Sequence, residues 1–287
     1  MTVVAVLDVG GTSIKSGVVR NASAVIGPSS PTLAAEPAEV VLDRLAACCS
    51  TALGLAGPNV AGIAIGFPGP FDVGRGTALI RGLHKFDAIH GVDLRAALRA
   101  RVPELAAGLP VEFVHDNEAA GVGEAVFGAG RPAARVLTVT LGTGVGACLT
   151  SGGDVVQWVG ELEVEKLARR STPWGRADDV LSARGLADRL DVATLDLRAA
   201  VGDPNNTTVV AEHGSRVGEF LRSCVEELEV DLIVVGGGLV EAYSRFGPAL
   251  EAALAPTRAL PAELGAAGPI LGAARLAFPD ALALPPS

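Results

Sequence analysis

VAVLDVGGTSIKSGVV (4–19) and VLTVTLGTGVGACL (136–149) follow one plan. Each has an apolar run of strand length, a turn built on Gly-Thr or Gly-Thr-Gly, and a second apolar run. Apolar runs of this length bounded by glycine predict a β-hairpin. One such hairpin early in each half of the chain predicts a duplicated domain with a cleft between its copies. The plain alternative is coincidence between two glycine-rich hairpins.

Working outward, the strand candidates are Val3–Asp8, Ser16–Val19, Gly62–Gly66, Val111–Val114, Val136–Leu141, Gly146–Thr150 and Asp231–Val235. They alternate with helical patterns, which predicts an α/β protein. The clearest helix is 216–229, where Val217, Phe220, Leu221, Cys224, Val225 and Leu228 recur at helical spacing. A second covers about 38–54, with Val41, Leu42, Leu45, Cys48, Cys49 and Ala52 on one stripe. Residues 20–36, rich in Pro, Ser and Ala, are expected to form a surface loop or weak strand. The terminal LALPPS is expected to fray.

A chain of 287 residues accommodates two domains of ordinary size or one large one. Its 49% hydrophobic content suffices for packed cores, and with 4% aromatics those cores must be built from Ala, Val and Leu. No unbroken apolar run approaches the length of a membrane span. The start MTVVAVLDVGG lacks the basic segment of a signal peptide, so a soluble cytoplasmic protein is expected. A net charge of −9 argues against the basic face of a nucleic-acid binder. The four cysteines (Cys48, Cys49, Cys148, Cys224) show no CxxC pair and no nearby His, and are expected to be reduced core residues.

Three glycine motifs suit a nucleotide. In LDVGGTSIKSGVV (7–19), Gly10 and Gly11 permit positive φ and bring backbone N–H groups close to phosphate oxygens. Thr12 adds a hydroxyl, Lys15 a positive charge, and Asp8 could hold Mg²⁺ through water. Neither the GxxxxGK[ST] nor the GxGxxG spacing is present, and the bland alternative is a tight hairpin without a ligand. Gly142-Thr143-Gly144 offers similar donors without an acid. Gly236-Gly237-Gly238, at the end of a buried strand, leaves no side chain to obstruct a flat ring. The acid candidate is Asp116, at a strand end and a helix start. A carboxylate there can take the proton of an attacking hydroxyl, although helix capping is its commoner role.

Taken in order, LDVGGTSIKSGVV, IAIGFPGPFD (63–72), HDNEAAGVGEAVFGAG (115–130), LTVTLGTGVGACL, VVGGGLV and GPILGAARLA (268–277) resemble the motifs of the ROK (repressor, open reading frame, kinase) family. The resemblance runs from residue 3 to about 277. It implies an actin-like, ribonuclease-H-type fold of two α/β domains with an interdomain cleft, divided as 1–117 (joined by about 268–287) and 118–267. It also implies ATP and Mg²⁺ as cofactors, a sugar or polyol substrate, and a homodimer. Asp116 matches the general base. Asp8, Gly10, Gly11 and Thr12 match the first phosphate motif, and Gly142 to Gly144 the second. Gly69, His115, Glu161 and Val164 fall at substrate-facing positions.

Three departures bear on the acceptor. The zinc-binding loop of most members is here GELEVEKLARRSTPWGRADDVLSARGLADRL (160–190), without Cys or His, so no zinc is expected. Val164 stands where the family's sugar-binding segment has His, and His115 where Asn usually precedes the base. The expected consequence is an apolar patch at Val164, a changed hydrogen-bond pattern at His115, and poor use of glucose unless Glu163 or Trp158 refills the gap. His84, His90 and His213 are expected at the surface or in packing. Trp158 and Trp174 flank the altered loop as pocket or core residues.

The expected activity is ATP-dependent phosphorylation of a hydroxyl of a hexose or related sugar or cyclitol. A sugar-responsive regulator would need a helix-turn-helix segment for which there is no room before residue 7. A non-catalytic ligand-binding descendant is the other alternative. Polyphosphate as donor would favour a basic groove, which 23 Lys+Arg against 32 Asp+Glu does not support.

Overall fold

The computed structural model describes residues 2–82 and 85–282; His84 and most of the LALPPS tail lie outside them. The chain divides into two compact units, one running to Gly123 and resumed from Ala266, the other Glu124–Gly265.

The first unit begins with β1 (Val3–Val9), β2 (Ser13–Arg20) and β3 (Ser23–Pro31), followed by α1 (Ala38–Ala56), β4 (Val60–Phe67), β5 (Val111–His115) and α2 (Asp116–Phe127). α2 carries the chain into the second unit. There β6 (Arg135–Leu141), β7 (Val145–Ser151) and β8 (Asp154–Val156) precede α3 (Thr207–Leu228), β9 (Leu232–Gly236), α4 (Tyr243–Leu254) and β10 (Arg258–Pro261). α5 (Ala267–Ala277) returns to the first unit.

The sheets repeat one order: β3-β2-β1-β4-β5 in the first unit and β8-β7-β6-β9-β10 in the second. In each, an antiparallel hairpin is continued by two parallel strands. The two hairpins singled out in the sequence are β1–β2 and β6–β7. Parallel strands buried on both faces need continuous apolar runs, which VVAVLDV and LIVVG supply.

Each unit has its own core. Leu7, Leu45, Ile63 and Phe67 belong to the first; Leu149, Leu221, Ile233 and Phe246 belong to the second. α5 lies on the first sheet and crosses α2 closely: a Cβ on Gly272 would fall 1.8 Å from the Ala119 carbonyl oxygen. Only glycine permits that approach.

Two element boundaries differ from expectation. Residues 23–31 form a full edge strand that pairs with β2 throughout most of its length. An edge strand needs pairing on one side only, so proline and serine are tolerated where a central strand would exclude them. α3 begins at Thr207 rather than near 216 because Val210, His213 and Gly214 extend its buried face through an otherwise polar segment. All four cysteines are free and buried. Among the described residues, no helix is long and apolar enough to cross a membrane.

Candidate active site

In the first unit, strand register aligns the acidic residues. Asp8 of β1 pairs with Gly66 of β4, and Gly66 pairs with Val114 of β5. Asp116 follows two residues later, as the first residue of α2. Both carboxylates therefore arise at the carboxyl ends of parallel strands, β1 and β5, the side on which open α/β sheets bind ligands.

The turn joining β1 to β2 carries Gly10, Gly11 and Thr12. Gly10 N–H donates to the Ser13 carbonyl at 2.9 Å, and the buried Thr32 hydroxyl donates to the Gly10 carbonyl at 2.7 Å. The Thr32 N–H reaches the Thr12 carbonyl at 3.0 Å. The turn is held from behind while Gly11 and Thr12 remain exposed. Contrary to expectation, neither Gly10 nor Gly11 has positive φ. Close approach provides the physical reason: a Cβ on Gly10 would meet the Ser13 oxygen at 3.2 Å, and one on Gly11 would meet Lys85 Cδ at 3.3 Å.

Lys15 lies opposite Asp8 across the hairpin, with its Nζ 3.4 Å from Asp8 Oδ2. Burial pushes the Asp8 carboxyl above its usual range, and Lys15 opposes the shift. Asp116 is perturbed more strongly: its pKa is raised to about 6, chiefly by burial, with the Asp8 charge adding to the rise. The Asn117 N–H, 2.8 Å from Asp116 Oδ1, together with Lys85 and His115, favours the ionised form. That hydrogen bond engages one carboxylate oxygen of Asp116 and no N–H deeper in the helix. His115 ends β5 opposite Phe67, half-buried, and Gly69 is partly exposed just beyond β4.

In the second unit, Gly142-Thr143-Gly144 joins β6 to β7, with Thr143 exposed at the tip. Gly142 N–H donates to the Gly144 carbonyl at 2.9 Å, and Ala183 N–H to the Gly142 carbonyl at 2.8 Å. Gly237 has φ +83°, and a Cβ there would fall 2.6 Å from the Leu141 backbone. The third glycine motif thus abuts the base of the second hairpin. Gly238 opens a short 3-10 turn, Gly238–Ala242, ahead of α4.

The substrate-facing candidates of this unit divide. Glu161 is exposed at the tip of a small hairpin whose strands are Trp158–Val159 and Leu162–Glu163. Val164 is only 2% exposed and belongs to the second core, so the apolar patch expected there is not formed. Glu163 is paired with Lys166, and Trp158 is 56% exposed beneath the same lysine. Trp174 is half-buried under Arg216, 5.1 Å from ring centroid to guanidinium carbon. His90 is exposed with Nδ1 3.1 Å from the Ile80 carbonyl oxygen, whereas His213 is fully buried.

Two residues were missed by sequence reasoning. Asp178 Oδ1 accepts the Val145 N–H at 2.7 Å, and a Cβ on Gly144 would fall 2.6 Å from that oxygen. Its only sequence signal is the pair Asp178-Asp179 ahead of a helix, indistinguishable from an acidic first turn. Lys85 lies across Gly11 from a loop without periodicity, and carried no signal at all.

Among the described residues, no group of three or more His, Cys, Asp or Glu side chains is arranged to hold a metal ion. Mg²⁺ does not require one, since it keeps several waters and takes one or two carboxylates plus phosphate oxygens. The partly buried Asp8 carboxylate fits that need.

The sequence matches the ROK family over residues 4–161. It is 24% identical over 257 residues to the β-glucoside kinase of Klebsiella pneumoniae, covering 83% of this chain and 82% of that one. A ROK-family glucokinase from Streptomyces griseus, solved with glucose and AMPPNP, shares the fold with a TM-score of 0.77. The identity is 24%, and the match covers 96% of this chain and 99% of the other. A ROK-family transcriptional regulator, a homologue of the E. coli MLC protein, superposes with a TM-score of 0.74 at 18% identity. That match covers 95% of this chain and 77% of the regulator. The fold is that of the actin-like sugar kinases. The chain belongs to the ROK family.

Proposed function

We propose that this ROK-family sugar kinase moves the γ-phosphoryl group of ATP onto a hydroxyl of a hexose or related sugar, with Asp116 as general base. One observation carries the reading: the Asp116 carboxyl, its pKa raised to about 6, follows parallel strand β5 at the same end as Asp8 and the anchored glycine turn with exposed Gly11 and Thr12. A base must be ionised at working pH yet basic enough to accept a proton, and a pKa near 6 meets both demands.

Asp116 accepts the hydroxyl proton as the sugar oxygen attacks phosphorus. The Asn117 N–H fixes one carboxylate oxygen and leaves the other for the substrate. Gly10, Gly11 and Thr12 present donors to phosphate oxygens, as do Gly142, Thr143 and Gly144 in the second unit. Gly236 to Gly238 form the platform for the nucleoside. Lys15 limits repulsion between Asp8 and the incoming triphosphate. Asp8 is the residue that would hold Mg²⁺, which when bound would supply charge neutralisation for the phosphate oxygens. Because phosphoryl transfer needs little covalent help, alignment and charge neutralisation carry the catalysis.

For the acceptor, the similarity to a β-glucoside kinase and to a glucokinase supports a hexose or a hexose-bearing glucoside. His115 would change the hydrogen-bond pattern offered to that acceptor, since a ring that donates from one nitrogen and accepts at the other replaces a two-way amide. The family resemblance further implies a homodimer in the cytoplasm. ADP release over a panel of hexoses, β-glucosides and cyclitols tests the reading. Turnover of at least one sugar is expected; sugar binding without ADP release from any of them would favour a regulator or a non-catalytic binder.

A further inference from the structure

Of the 23 Lys and Arg residues in this chain, only Lys15, Lys85 and Lys166 are lysines. Every other such residue is arginine, so each lysine invites a physical reason. Lys166 pairs with Glu163 on the small hairpin of the second unit. The other two converge on the Gly10-Gly11-Thr12 turn. Lys15 is paired with Asp8. Lys85 arches over the tip, where a Cβ on Gly11 would lie 3.3 Å from its Cδ and 3.9 Å from its Nζ.

Two residues after Lys85, the Asp87 carboxylate accepts the Gly82 N–H. Phe86, next to Lys85, is fully buried in a left-handed conformation, φ 61°, with its N–H 2.6 Å from the Ala34 carbonyl oxygen. The Phe86 ring packs on Phe67 at 5.1 Å between centroids, and Phe67 pairs across the sheet with His115, the residue before Asp116. An αL aromatic is uncommon enough to require such over-determination. Among the described residues, Lys85 has no ion-pair partner.

We propose that Lys85 is a catalytic cation that binds the γ-phosphoryl oxygens of ATP during transfer. The inference rests on the phosphotransfer reading above and adds a residue that the glycine motifs do not contain. In the step itself the sugar oxygen–phosphorus bond forms and the bond from phosphorus to the β,γ-bridging oxygen breaks. The hydroxyl proton goes to Asp116, and Lys85 keeps its own proton throughout. An ammonium suits this place better than a guanidinium. It is a compact point charge that follows the moving phosphoryl group, whereas the wide, planar fork of arginine is pre-set for bidentate contact. Its charge also reaches Asp116, whose ionised form it favours, so one cation serves both the base and the migrating group.

The test compares wild type with Lys85→Met and Lys85→Arg, with melting temperature as the check on folding. Calorimetric titration with AMPPNP and with ADP gives a readout independent of turnover. Lys85→Met is expected to weaken AMPPNP binding by roughly tenfold or more while leaving ADP within about twofold, since only the former carries a γ-phosphate. Its kcat for the best sugar is expected to fall by about 10²–10³-fold, the scale for losing one preorganised transition-state donor. Lys85→Arg should recover binding of AMPPNP more than it recovers kcat. An unchanged AMPPNP-to-ADP ratio with normal turnover in folded Lys85→Met would overturn the inference and leave the kinase reading intact. Failure of wild type to bind either nucleotide would overturn both.

Discussion

Gly237 turns against Leu141 so closely that a Cβ would lie 2.6 Å from the Leu141 backbone nitrogen and oxygen. Its φ of +83° adds a second objection to any side chain. By contrast, a Cβ on Gly238 would meet no heavy atom within 4 Å, and that residue has no positive φ. Gly237→Ala is therefore expected to cost at least about 1–3 kcal/mol and lower Tm by several degrees, whereas Gly238→Ala should leave Tm nearly unchanged. Thermal melts of the two variants decide it: equal Tm values would mean that the third glycine motif does not press on the end of β6.

Gly142 is the better probe of the second hairpin. It lacks positive φ, and a Cβ there meets nothing closer than the Gly144 oxygen at 4.0 Å. Gly142→Val should fold, and the added branched side chain should obstruct ligand approach to the turn. Calorimetry is expected to show weakened ATP binding; wild-type affinity in the folded variant would remove this hairpin from the phosphate site.

His213 sets the acid limit of the second unit. The ring is buried, and its pKa is lowered to about 4 by burial and by the charges of Arg189 and Arg216, against a smaller opposing contact with the Leu181 backbone. The unfolded chain binds this proton near the ordinary value of 6.5 and the folded chain only near 4. The resulting stability is complete above about pH 6.5 and is lost as pH falls towards 4, by about 3 kcal/mol in all. Denaturant unfolding from pH 7 to 4 should show that slope, and His213→Leu should flatten it. A slope unaltered by the substitution would acquit His213.

The base carries a stability penalty of opposite sign. Asp116 has its folded pKa raised to about 6 from 3.8, so its contribution to stability is fully present below 3.8 and is lost as pH rises through 6. Asp116→Asn removes the buried charge. At pH 7.5 it should raise Tm by roughly 2–6 °C, allowing for solvent screening. A Tm no higher than that of wild type would mean that the carboxylate is better solvated than its burial implies.

The fold was readable because its signals are local. The two hairpins and the buried run LIVVG announce themselves by apolar length and glycine punctuation. Edge strand β3 was half hidden because an edge tolerates the Pro and Ser residues that resemble a loop. At the site, Asp8, Asp116 and the glycine turns were named from the sequence, and register explains their company in the first unit. Three features were not readable. Lys85 reaches Gly11 from far along the chain, next to the buried Phe86. Asp178 acts through a hydrogen bond to Val145 that no spacing rule foretells. Val164, placed by its motif beside the substrate, is drawn into the second core by the short 3-10 helix that it begins.

The most direct test of the central claim is the single-turnover and steady-state kinetics of Asp116→Asn with the best sugar from the panel, over about pH 5–8. Wild-type kcat should decline below about pH 6 as Asp116 takes up its proton. The Asn variant should be slower by roughly 10²–10⁴-fold, flat across this range, and unaltered in nucleotide affinity. A variant that turns over within about threefold of wild type, or that keeps the same acid limb, would contradict the assignment of Asp116 as the base.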